Sequence, residues 1–125
     1  MTMTQKDYNL EERTARFGES VIIICKQIKQ DTINKPIINQ LIRSATSIGA
    51  NYMEANGGSS KKDFINKIFI CKKEAQETKH WLRMLSSCNV EHKDELRKLW
   101  QECQELTLIF QKIGSSSRKP SDIEN

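Results

Sequence analysis

Seven residues recur at 4-3-4-3-4-3 spacing between positions 64 and 85: Phe64, Ile68, Cys71, Ala75, Thr78, Leu82 and Leu85. That interval keeps one narrow stripe on a single side of a helix for three heptads, which a strand of period two cannot do. A seam this long and narrow demands near-parallel helical neighbours along its whole length. The chain is therefore read as a bundle of long helices, and the rest of the sequence agrees. Only five glycines and two prolines occur in 125 residues, too few for the many turns of an all-β fold.

Three further helices flank the seam. A first opens near Asn9, where Asn9 and Glu12 have capping-box spacing, and continues through Phe17, Val21, Ile24 and Ile28 until Gln30–Asn34 breaks it. A second has Pro36 in its first turn, runs along Ile38, Leu41, Ala45, Ile48 and Tyr52, and stops at Gly57-Gly58. The heptad helix opens at Ser60 with Asp63 as its capping partner. A fourth begins near Asn89, carries Leu96, Leu99, Cys103, Leu106, Phe110 and Ile113, and ends at Gly114. Four long helices with short connections describe an all-α, up-down-up-down antiparallel four-helix bundle. Residues 1–114 form one domain on this reading, and 115–125 a flexible C-terminal tail.

No run approaches the roughly 18 apolar residues that span a bilayer, so no membrane partner is expected. The polar start MTMTQKDYNLEERTARF lacks the apolar core of a secretory signal. The four cysteines, at 25, 71, 88 and 103, form neither a CxxC pair nor a zinc-like spacing. Cys71 and Cys103 fall on apolar stripes as small core hydrophobes. A reducing, cytoplasmic setting is expected.

Charge is unevenly placed. Residues 57 to 87 hold Lys61, Lys62, Lys67, Lys72, Lys73, Lys79 and Arg83 against three acids, so this segment carries the whole net charge of +4. Lys61, Lys62, Lys72, Lys73, Lys79 and Arg83 are the candidates for contact with nucleic-acid phosphates. The competing reading is a solvated helix face. Few aromatics accompany these lysines in sequence, which argues against base stacking.

On the second helix Arg43, Ser47, Asn51 and Glu54 make a polar stripe beside the apolar one. On the third, Glu74, Glu77 and Trp81 make another. Arg43 is expected to pair with Glu77 or Glu74 in a partly buried network that sets helix register. Small residues from Ser44 to Ala50 let a neighbouring backbone approach, so the whole motif is read as structural or as an interface.

The catalytic constellations that helical bundles carry are incomplete here. Glu77-x-x-His80 supplies one half of a di-metal motif, but Asn89 precedes His92 where the second Glu belongs. No arginine stands five to seven residues before either histidine, which removes an Arg/His helical nuclease. Gly57-Gly58 lacks the Gly-Lys-Ser/Thr of a phosphate loop. No enzyme, metal or cofactor is expected.

The run QLIRSATSIGANYMEANGGSSKKDFINKIFICKKEAQETKHWLRML, residues 40 to 85, resembles the bacterial four-helix-bundle family encoded in intervening sequences of 23S ribosomal RNA genes. The shared pattern includes Gln40, Leu41, Arg43, Ser44, Ser47, Ile48, Ala50, Asn51 and Glu54. It continues through Ser60, Asp63, Phe64, Lys73, Glu74, Ala75, Glu77, Thr78, Trp81 and Leu82. Tyr52, where isoleucine is usual, and Ala55-Asn56 before the glycines depart from it. The resemblance implies a small cytoplasmic homo-oligomer, a five-membered ring, without enzymatic activity and associated with structured RNA or other nucleic acid. A similar protein, the accessory protein of diversity-generating retroelements, implies a protein partner such as a reverse transcriptase.

Overall fold

A computed structural model of the protein describes residues 9–58 and 60–116. The elements are α1 (Leu10–Gln27), α2 (Asn34–Asn56), α3 (Lys61–Cys88), a 3-10 turn over Val90–His92, and α4 (Lys93–Ser116). No strand occurs among the described residues. The 28 residues of α3 extend about 42 Å, the longest element of the fold.

The seam of α3 is buried as its spacing requires. Ile68, Cys71, Ala75, Thr78, Leu82 and Leu85 are all within 1% of full burial, while Phe64 at its start is half-buried. They pack with α2 on one side and α4 on the other, and α1 lies mainly on α2 with a thinner contact to α4. Leu41 and Ile48 of α2, Phe17 and Val21 of α1, and Leu106 and Phe110 of α4 complete the core. Burial of each such side chain contributes about 1.5–3 kcal/mol.

Hydrogen bonds set the register between neighbours. Along α2, Ser44 accepts from Thr78 at 2.9 Å, Ile48 accepts from Cys71 Sγ at 3.6 Å and Glu54 accepts from Lys67 at 2.6 Å. The partner's number falls as the residue number rises. Between α1 and α2 the backbones come close at Gly49, where a Cβ would meet Thr14 Oγ1 at 3.2 Å.

Both ends of the chain of helices differ from the sequence reading. Asn9 does stand at the N-cap of α1, but its side chain makes no capping bond, and the Glu12 carboxylate that would complete the box pairs instead with Arg16 at 2.7 Å one turn on. Ser60, by contrast, accepts from Asp63 N at 3.0 Å and caps α3 as expected. α4 starts only at Lys93, after the 3-10 turn, because Asn89 is buried and its amide is taken up by Asn34. Gly114 does not end α4, which runs two residues further; Gly114 is buried against Phe69 and Ile68. Ser115 and Ser116 of the expected tail are therefore helical. The rest of it, including Arg118 and Lys119, lies outside the described residues.

All four cysteines are free, and Cys25, Cys71 and Cys103 are buried. Burial pushes the Cys71 and Cys103 thiols up to about 12 and Cys25 to about 11, so all three stay protonated and unreactive at neutral pH. No described helix is long and apolar enough to cross a membrane.

Candidate functional site

The polar stripe of α2 divides into two groups. At its upper part the Arg43 guanidinium donates to Glu77 Oε2, to Glu74 Oε1 at 3.4 Å and to Gln40 Oε1 at 3.1 Å. Trp81 Nε1 donates to the same Glu77 oxygen at 2.9 Å, so one carboxylate is shared between helices. The Trp81 indole, followed by the Arg43 guanidinium, holds the Glu77 carboxyl below the usual carboxylate range. Lower down, Glu54 pairs with Lys67. Ser47 and Asn51 lie between and bond only to carbonyls of their own helix, at Arg43 and Ser47. Arg43 is 46% exposed and Glu74 and Glu77 are 19% and 33% exposed, so the network is partly buried, with its cation on the solvent side.

A more deeply placed ion cluster joins α1 to α4. Arg13 grips Glu102 with two bonds of 2.7 and 2.8 Å and reaches Glu105 at 2.8 Å, with its own side chain only 8% exposed. The hydrogen bond to Glu102 raises the Arg13 pKa further. Sequence reading missed this residue, although Arg13 stands four positions before Phe17 on the buried stripe of α1. A cation on a core stripe calls for a carboxylate facing it, and that was the available signal.

The basic residues of α3 likewise fall into two sets. Lys61, Lys62, Lys73 and Arg83 are exposed. Lys72 and Lys79 are half-buried and bend toward α4, where they donate to Gln111 and, at 2.6 Å, to Gln104. Lys79 also places its Nζ 5.4 Å from the ring centroid of Trp100. An aromatic ring from α4 thus joins the α3 cations, a neighbour that distance along the chain had hidden.

Trp100 lines an open hollow of about 700 Å³ where the end of α3 meets the start of α4. Leu82 and Leu96 form its buried floor; Arg83, Lys93 and Arg97 supply cations around it. Its described lining residues include no carboxylate. On the far side of the protein a hollow of about 400 Å³ runs between α1 and α2 over Ala15, Gly18, Gly49 and Ala50, with exposed Met53 and Ile22 at its edge.

Among the described residues no group of three or more His, Cys, Asp and Glu side chains is placed to hold a metal ion. Glu77, half of the candidate di-metal motif, is directed instead at Arg43 and Trp81. His80 is exposed, with its ring 4.8 Å from that of Trp81 in an edge-on contact.

The model of the 23S rRNA-intervening sequence protein family matches residues 6–112, which include all four helices up to the last turn of α4. The chain belongs to that family. Its helices are also similar to a crystal structure of a protein of unknown function from the S23 ribosomal protein family of Bacteroides thetaiotaomicron VPI-5482. That likeness has a TM-score of 0.75 at 29% identity and covers 89% of this chain and 99% of the other. No curated protein matches. The family's reach across α1 and α4 extends beyond residues 40 to 85, where the motif resemblance had been strongest.

Proposed function

We propose that the protein is a non-enzymatic, cytoplasmic, homo-oligomeric bundle that associates with structured RNA through the outer face of α3. The observation that carries this reading is the line of exposed cations Lys61, Lys62, Lys73 and Arg83 on the segment that holds the entire net charge. Such contacts to phosphate are sequence-independent and release counterions, so binding weakens steeply with salt. An antiparallel up-down-up-down order belongs to the same reading, supported by the falling partner numbers from Ser44–Thr78 to Glu54–Lys67. So does a five-membered ring, in which the α3 faces would repeat about one axis and gain by multivalency.

Filter binding to a structured RNA at rising salt tests it. Binding at low salt with a steep decline is expected. Lys62→Glu with Lys73→Glu should weaken binding and flatten the salt slope by about two. Absent or salt-insensitive binding overturns the reading. A second reading, a scaffold that docks a protein such as a reverse transcriptase, is favoured by exposed apolar side chains at Ile23, Ile33 and Leu108. Co-purification that survives nuclease treatment distinguishes it.

A further inference from the structure

We infer that the hollow between the end of α3 and the start of α4 is a binding site for one unpaired nucleotide of an RNA strand. The base would stack on Trp100, and its phosphates would lie on Arg83, Lys93 and Arg97. This rests on the RNA-association reading above and adds to it an aromatic subsite and a preference for unpaired residues.

Four features converge. The hollow, at about 700 Å³, lies within the range of about 300–1,000 Å³ that small-ligand sites occupy. Its floor of Leu82 and Leu96 is apolar, and Trp100 is 37% exposed at its wall, an indole that the core leaves partly uncovered. Three cations stand around it with no acid among the described lining residues, so the local field favours an anion. Two of the three are arginines, whose planar guanidinium matches phosphate oxygens in pairs. Lys79 holds a fourth cation over one face of the indole, 5.4 Å from its centroid.

This combination suits an unpaired nucleotide better than a duplex. Cations alone bind any phosphate backbone, whereas an exposed ring offers a face on which a base can stack. Bases inside a duplex already stack on one another, whereas a loop or single strand presents that face freely. Every base has such a face, so little sequence preference is expected.

The test compares a short oligo(A) RNA with a fully paired RNA duplex of equal length, by fluorescence anisotropy at low salt on the full chain. Trp100→Ala should weaken oligo(A) binding about tenfold, as expected for a lost base–aromatic stack, and duplex binding less than about twofold. Trp100→Phe should retain most of the oligo(A) affinity. Arg97→Ala, at an exposed position, serves as a second variant and should lower oligo(A) affinity with no change in melting. Unchanged oligo(A) affinity in Trp100→Ala, or equal losses on both RNAs, overturns the inference and leaves the α3 reading standing. So does a wild-type protein that binds the duplex and not oligo(A). Failure to bind either RNA overturns both.

Discussion

Arg13 and Arg43 each reach across to a pair of carboxylates on another helix, but solvent treats them differently. Arg13 is 8% exposed and Arg43 46%. Removing a buried cation leaves its carboxylates unpaired in poor solvent, whereas water replaces an exposed one. Arg13→Ala is therefore expected to cost about 2 kcal/mol, below the full buried-pair value because Glu102 is 27% exposed. Arg43→Ala should cost under about 1 kcal/mol. Urea melts with unchanged slopes measure both, and an equal loss would place the two networks in the same environment. Glu77 adds a pH signature. Its carboxyl is held low by Trp81 and Arg43, so its contribution is present above the unfolded value of about 4.3 and is lost as pH falls through the folded one. The stability gap between wild type and Glu77→Gln should be open at pH 7 and narrow as pH falls below about 4.3, closing only once it has passed the lower folded value. A gap that stays constant with pH would assign the effect to shape.

At the scale of helices, the connections carry a device that periodicity does not reveal. Asn34 at the start of α2 and Asn89 after α3 exchange amide bonds of 3.1 and 2.9 Å, and both are buried. Asn34 also donates to Lys29 O and Asn89 to Leu85 O, so neither amide donor is wasted. The pair clasps the α1–α2 connection to the α3–α4 connection. Asn34→Ala and Asn89→Ala should each cost about 1–3 kcal/mol, since either leaves a buried amide without its partner. A double-mutant cycle should then show coupling of at least about 0.5 kcal/mol, and simple additivity would mean the two act separately. The α3 seam was legible because seven apolar or small residues repeat locally. The clasp was not, because its partners stand 55 positions apart and asparagine has no period. Local signals also lost to tertiary packing at Gly114, a stop residue by type, which sits inside α4 against Phe69. The candidate site was half legible for the same reason: the α3 lysines stood together in sequence, but Trp100 and Arg97 came from the next helix.

For the whole molecule, the uneven packing of α1 supplies the face on which the proposed ring is tested. α1 lies on α2 and has a thinner contact with α4, so its flanks remain open. The hollow between α1 and α2 has a floor of small residues, and Met53, 61% exposed, stands at its edge with Ile22. Small residues let another helix approach closely, and an unbranched thioether adapts to what it meets. If the proposed ring uses this face, light scattering should give about five times the 14.5 kDa of one chain. A two-fold contact would stop at two copies, because both copies would spend the same patch on each other. Met53→Glu should shift the mass toward a single chain with helicity unchanged, since a charge would enter an apolar contact and the exposed position tolerates it in the monomer. A wild-type mass of one chain would remove the oligomer from the proposal. An unchanged mass in Met53→Glu would move the contact to another face. Dispersal should also weaken RNA binding without altering any α3 cation, because separate subunits lose the high effective concentration of linked sites.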